Sequence, residues 1–113
     1  MSRIYKILPR AEWEAARIAG AFEGSAVDRQ DGFIHFSTAG QAQETARRHF
    51  VGQADLVVLE IEAEDLGVGL RWEPSRGGDL FPHLYGRLEA SLVRGVTDAP
   101  LGADGVPQVG DLG

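Results

Sequence analysis

The stretch DGFIHFSTAGQAQET, residues 31–45, decides how this chain is read. GFIHFS reads as a short strand. Phe33, His35 and Ser37 point one way and Ile34 and Phe36 the other, because strand residues two apart share a face. TAGQ then matches a capping box, in which the Thr38 hydroxyl reaches the Gln41 backbone N–H while the Gln41 side chain reaches back. Ala39, Ala42, Ala46 and Phe50 follow as a narrow apolar stripe of mostly small side chains, so the predicted helix packs closely on a sheet. A histidine in such a strand is either a hydrogen-bonded structural residue or part of a strand-end site.

Upstream, RIYKIL (residues 3–8) alternates well enough for a strand. Pro9 suits a first helical turn, where its missing N–H matters little. AEWEAARIAG places Trp13, Ala16 and Gly20 on one stripe, with Glu14 three residues before Arg17. The pattern predicts a helix over 9–19. Residues 20–30 are small and polar and read as a loop.

Downstream, LVVLEIEA (residues 56–63) is the strongest strand signal, with Val57, Leu59 and Ile61 on its better-buried face. EDLG reads as a turn, LRWE as a short strand and PSRGGD as a loop. LFPHLYG is strand-like, but Pro82 cannot donate to a ladder and is expected at an edge or bulge. LEASLVRGV reads as a helical turn leading into a last strand. The tail GADGVPQVGDLG lacks period and is expected to be loose or packed as irregular chain. The expected division is one domain over 1–97 and a Gly-rich tail over 98–113. Strands and helices mix without a regular βαβ rhythm, which favours an α+β fold.

A chain of 113 residues is one domain, able to bury about two-thirds of its extended surface. With 43% hydrophobic and 25% charged residues it has globular composition, and no apolar run approaches the roughly 20 residues that span a bilayer. The N-terminal MSRIYKILPRAEW has no apolar signal core, and cysteine is absent, so a cytoplasmic location is expected and no disulfide, thiolate nucleophile or Cys-ligated metal. The net charge of −6 argues against general nucleic-acid binding, while leaving room for a local basic pocket for one phosphorylated small molecule.

Alternation also sorts the chemistry. Phe81, His83 and Tyr85 share a face opposite Leu80 and Leu84, and Leu70 and Trp72 oppose Arg71 and Glu73. Two strands thus each offer an aromatic residue, a histidine and a hydroxyl on one side, which resembles a pocket wall. Each residue has a bland reading too: Ser37 closes a strand, Thr38 caps a helix, Trp72 is core and Tyr85 a half-buried aromatic. Glu73 stands out among the acids, between an aromatic and the PSRGG loop, whereas Glu12, Glu62 and Asp65 read as solvated faces. SRGGD offers backbone N–H groups and Arg76 to a phosphate but matches no phosphate-loop motif. His35, His83 and Glu73 lack the close helical spacing of a metalloprotease motif, so no metal site is expected. GFIHFST lacks the Gly-x-Ser-x-Gly elbow of a serine hydrolase.

Taken together, GFIH-x-ST-x-x-Q and RWE-x-SRGG-x-x-FPHLYG resemble the domain of unknown function 952 family of small bacterial and plant proteins, from RIYKIL to about Val96. That family is similar in fold to the ADP-ribosyltransferases. The resemblance implies two small packed β-sheets flanked by helices around a cleft. In the diphtheria-toxin type, a strand histidine followed by a small residue and threonine holds the NAD ribose and amide, tyrosines stack on the nicotinamide, and a late glutamate steadies the oxocarbenium-like transition state. The resemblance carries the first element onto His35, Ser37 and Thr38, and a stacking tyrosine onto Tyr85. Glu73 precedes Tyr85 here, and only Glu89 follows it.

Some members of the wider fold use basic residues to remove a 2′-phosphate from RNA, for which Arg71, Arg76 and Arg87 are the matching residues. The expectation is therefore a small-molecule cleft lined by His35, Ser37, Thr38, Trp72, Arg76, His83 and Tyr85, with Glu73 as catalytic acid. NAD enters as a substrate rather than a resident cofactor. The alternative is a non-catalytic binding or interaction module on the same fold.

Overall fold

The structure, a computed structural model, describes residues 2–112, and for Arg76 the backbone alone. Its elements run β1 (Arg3–Pro9), α1 (Arg10–Ala19), β2 (Ala21–Phe22), α2 (Ala26–Asp31), β3 (Ile34–His35), α3 (Ala39–His49), β4 (Leu56–Glu62), β5 (Leu70–Ser75), β6 (Asp79–Leu84), β7 (Leu88–Glu89) and β8 (Val93–Ala99). Short 3-10 segments occupy Ala63–Gly69, Arg76–Gly78 and Ala90–Leu92. This is an α+β fold of small antiparallel sheets. Among the described residues no helix is long and apolar enough to cross a membrane.

The alternating β1 and the apolar β4 pair antiparallel, Arg3 opposite Glu62 and Pro9 opposite Leu56, and β8 covers the other side of β4. A central strand is buried on both faces. Val57, Leu59 and Ile61 join Ile4, Leu8 and Trp13 in one core, while Leu56 and Val58 join Tyr5, Ile7, Ala42 and Ala46 in another. The other face of β4, expected to be the less buried, is buried as well, because α3 lays its small-residue stripe against it. The capping box at Thr38 is present, its backbone N–H donating to Gln41 Oε1 at 3.0 Å. Gln41 Nε2 also donates to Leu80 O at 2.8 Å, tying the helix start to β6.

A second three-stranded sheet has the order β3-β6-β5, and β2 with β7 forms a further two-stranded ribbon, so the described residues form three sheets where two were expected. The expectation for Pro82 also needs correcting, because β6 is the central strand of its sheet. In an antiparallel ladder every second facing pair exchanges two bonds, and Phe36 and Pro82 stand at such a position. Phe36 N donates to Pro82 O at 3.0 Å, but proline has no N–H to return, so β3 stops at His35. The chain then turns to the other sheet. Tyr5 N donates to Ser37 O at 2.8 Å and Ser37 N to Tyr5 O at 2.9 Å, which joins β1 to the end of β3.

Residues 20–30, read as a loop, hold β2 and all of α2 but its last residue. No apolar period announces α2, since the residue it buries is Asp28. Trp72, read as core, shares the core-facing side of its sheet but is 41% exposed, because β5 is an edge strand and Trp72 stands opposite Pro82. Glu62, read as solvated, is buried beside Arg3. β8 continues to Ala99, past residue 97, and the chain beyond packs as irregular structure: Val106 and Val109 are buried against Ala42 and Ala46.

Candidate functional site

β3 sets the site. Its two rungs place Ile34 opposite Leu84 and His35 opposite His83, so Ile34 goes to the core and the two histidines share the other face. Arg71 and Glu73 of β5 lie on that same face, as alternation predicts. Phe33 packs among the rings, its centroid 4.1 Å from His83, 4.6 Å from His35 and 5.3 Å from Tyr85. The two imidazoles meet edge to face at 5.5 Å.

Each histidine is oriented by a carboxylate. His35 Nδ1 lies 2.6 Å from Asp28 Oδ1, and Asp28 is 2% exposed. The same carboxylate accepts from Lys6 Nζ at 2.9 and 3.1 Å, from Ser25 N at 3.0 Å and from His35 N at 3.2 Å. Burial alone would raise the Asp28 carboxyl, but the bonds from His35 and the Lys6 charge hold it well below the usual carboxylate range. On the other edge of the ring, His35 Nε2 lies 2.9 Å from Asp31 Oδ2. Ionised carboxylates only accept, so both contacts are hydrogen bonds at once only when the ring carries both protons.

His83 repeats the arrangement from the neighbouring strand. Its Nδ1 lies 2.8 Å from Glu73 Oε1, which also accepts the Tyr85 hydroxyl at 2.7 Å. These two bonds hold the Glu73 carboxyl below its ordinary value, and Glu73 raises the Tyr85 phenol. The Arg71 guanidinium stacks over the Tyr85 ring at 4.8 Å.

A pocket of about 560 Å³ opens where β1 and the β3–β6 sheet diverge beyond the Tyr5–Ser37 bridge. His35, Ser37 and His83 line it, together with Phe36, Phe81 and the third histidine, His49. Glu73 and Tyr85 stand behind His83 rather than in the wall. Thr38 caps α3 and Trp72 lies on the opposite side of its sheet, so neither is in the wall. Ser75 reaches the pocket, and the Arg76 side chain lies outside the described residues. Ser37 Oγ is 2.9 Å from Thr45 Oγ1, itself 3.1 Å from Gln41 O, so the Ser37 hydroxyl is engaged by α3.

Sequence reasoning missed Lys6, Asp28, Asp31 and Glu12, all of which line the pocket. Two signals were present: a lysine inside the apolar RIYKIL, and Ser25-x-x-Asp28, the capping-box spacing. Glu12, read as solvated, has one carboxylate oxygen buried without a hydrogen-bond partner among the described residues. Among those residues no group of three or more His, Asp or Glu is placed to hold a metal ion.

Solved structures agree with this architecture. The chain is similar to CC0527 from Caulobacter crescentus, a structural genomics target. To its crystal structure it is 62% identical over 97% of this chain and 96% of that one, with a TM-score of 0.95. To its solution NMR structure it is 62% identical over 98% and 96%, with a TM-score of 0.87. No curated protein matches the chain. A family model described as Protein of unknown function (DUF952) matches residues 7–96, and the chain belongs to that family.

Proposed function

We propose that the pocket beside His35 binds a nucleotide-like small molecule, with NAD, as donor for ADP-ribosyl transfer, the first ligand to test. The observation that carries this reading is the buried Asp28 carboxylate holding Nδ1 of a histidine in the pocket wall. Burying the Lys6–Asp28 pair is not a cheap source of stability. Its geometric product is a fixed imidazole, which suits a polar group that must meet a ligand in one orientation. The volume falls within the range of about 300–1,000 Å³ common for small-molecule sites, and Phe36 and Phe81 supply apolar wall. NAD itself, and an ADP-ribosyltransferase-like cleft, rest on the resemblance of GFIHFST and FPHLYG to that fold.

Calorimetry with NAD and ADP-ribose tests it. The folded wild type is expected to bind at least one of them, and His35→Ala to weaken binding about tenfold or more. No heat of binding from the folded wild type up to millimolar ligand overturns the reading.

One observation favours binding without transfer. Glu73, the expected catalytic acid, is outside the wall and held by His83 and Tyr85. On that second reading Glu73→Gln leaves affinity within about twofold, less than one ordinary hydrogen bond, and NAD is not consumed. Turnover of NAD that Glu73→Gln abolishes would restore Glu73 as the catalytic acid.

A further inference from the structure

We propose that α2 is a latched lid over this pocket, held shut by Asp28 and released through His35. The inference rests on the reading of the pocket as a small-molecule site and adds how access to it is controlled.

The attachment of α2 differs in kind from that of the other helices. α1 buries Trp13 and Ala16, and α3 buries Ala42 and Ala46. α2 has six residues, about 9 Å of helix, and the residue it buries is the charged Asp28. A helix this short has little stability of its own. Ala26 and Val27 line the pocket yet remain exposed, so no apolar side chain of α2 anchors it.

What holds the segment is polar and has two parts. The bonds from Ser25 N and Oγ to Asp28 Oδ2 are internal and travel with the helix. The bonds from Lys6 Nζ, His35 N and His35 Nδ1 to Asp28, together with the contact between His35 Nε2 and Asp31 Oδ2, reach outward to β1 and β3 and form the latch.

The surroundings permit movement. A second hollow of about 360 Å³ adjoins the segment, and Ser25 and Ala26, with Glu12 of α1, belong to the walls of both. α2 thus borders two hollows, and because the residue it buries is Asp28, opening it sacrifices the latch rather than a packed core. Gly24 (φ 107°) and Gly32 (φ 89°) flank the helix in left-handed conformations. A ligand group that engages His35 Nε2 displaces Asp31, which also belongs to α2. Occupancy and closure therefore act on the same ring, and two events sharing one group are coupled reciprocally.

Hydrogen exchange on the free, full-length protein tests the lid. The amides of Arg29, Gly32 and Phe33 donate to Ser25 O and Asp28 O and report on α2. In the wild type they are expected to exchange faster than α3 and β4, at a rate insensitive to low urea, the mark of local opening. His35→Ala, which removes the ring donor, should speed them roughly ten- to hundredfold without changing α1 or α3. His35→Asn, whose amide nitrogen takes the place of Nδ1, should restore most of the protection.

The lid is overturned if α2 exchanges in step with α3 and β4 under urea, a result that needs no variant. It is equally overturned if His35→Asn and His35→Ala speed exchange alike. Adding NAD or ADP-ribose separates the two claims. Calorimetric binding that leaves α2 exchange unchanged overturns the lid. Absence of binding removes the ligand reading, while the exchange pattern still decides the lid.

Discussion

Asp28 joins more of this molecule than any apolar residue of its segment. It caps its own helix, neutralises a lysine on β1 and orients a histidine on β3. Removing one partner of a buried ion pair strands the other, so Asp28→Asn is expected to cost about 3 kcal/mol at neutral pH, measured by urea unfolding. Its pH dependence has a definite sign. The carboxyl titrates lower in the folded chain than in the unfolded one. Its stabilisation is therefore whole above the unfolded carboxylate value of about 4 and drains away as pH falls from there towards the folded value. The wild type should lose urea resistance more steeply below about pH 4 than Asp28→Asn does; parallel curves would show that Asp28 is not the group responsible.

Among the elements, those with a strong local signal were legible. The TAGQ capping box and the alanine stripe announce α3, and LVVLEIEA announces β4. Face assignment was legible as well: His35, His83, Arg71 and Glu73 share the side that alternation predicts. Elements defined by a partner were not. β6 is central because Pro82 needs only to accept from Phe36, and α2 forms around an acid whose partners lie on other strands. Gln41 shows an element-scale contact with both origins, since it caps α3 and donates to Leu80 O. Gln41→Ala should therefore cost about 1–2 kcal/mol in urea unfolding, against about 1 for loss of a cap alone.

At the scale of the whole molecule, the chain after β8 closes the second core. Val106 and Val109 cover Ala42 and Ala46, Gln43 Nε2 donates to Pro107 O at 2.9 Å, and the Tyr5 hydroxyl donates to Leu112 O at 2.7 Å. Deleting residues 100–113 uncovers two valines' worth of apolar surface and should lower stability by about 3 kcal/mol or more. An unchanged urea midpoint would make this stretch the separable tail that its composition suggests. The family model ends at residue 96, yet similarity to CC0527 extends over 97% of the chain.

By itself the sequence determined the α+β class, the start of α3, the strands of the first sheet and the face on which the two histidines sit. Those follow from neighbours a few residues apart, where backbone geometry acts directly. Tertiary structure alone decided that Lys6 meets Asp28, that Asp28 holds His35, and that Glu73 supports His83 from behind the wall instead of facing the pocket. Such contacts join residues whose local pattern contains no trace of each other. A charge is buried only when the fold brings its partner.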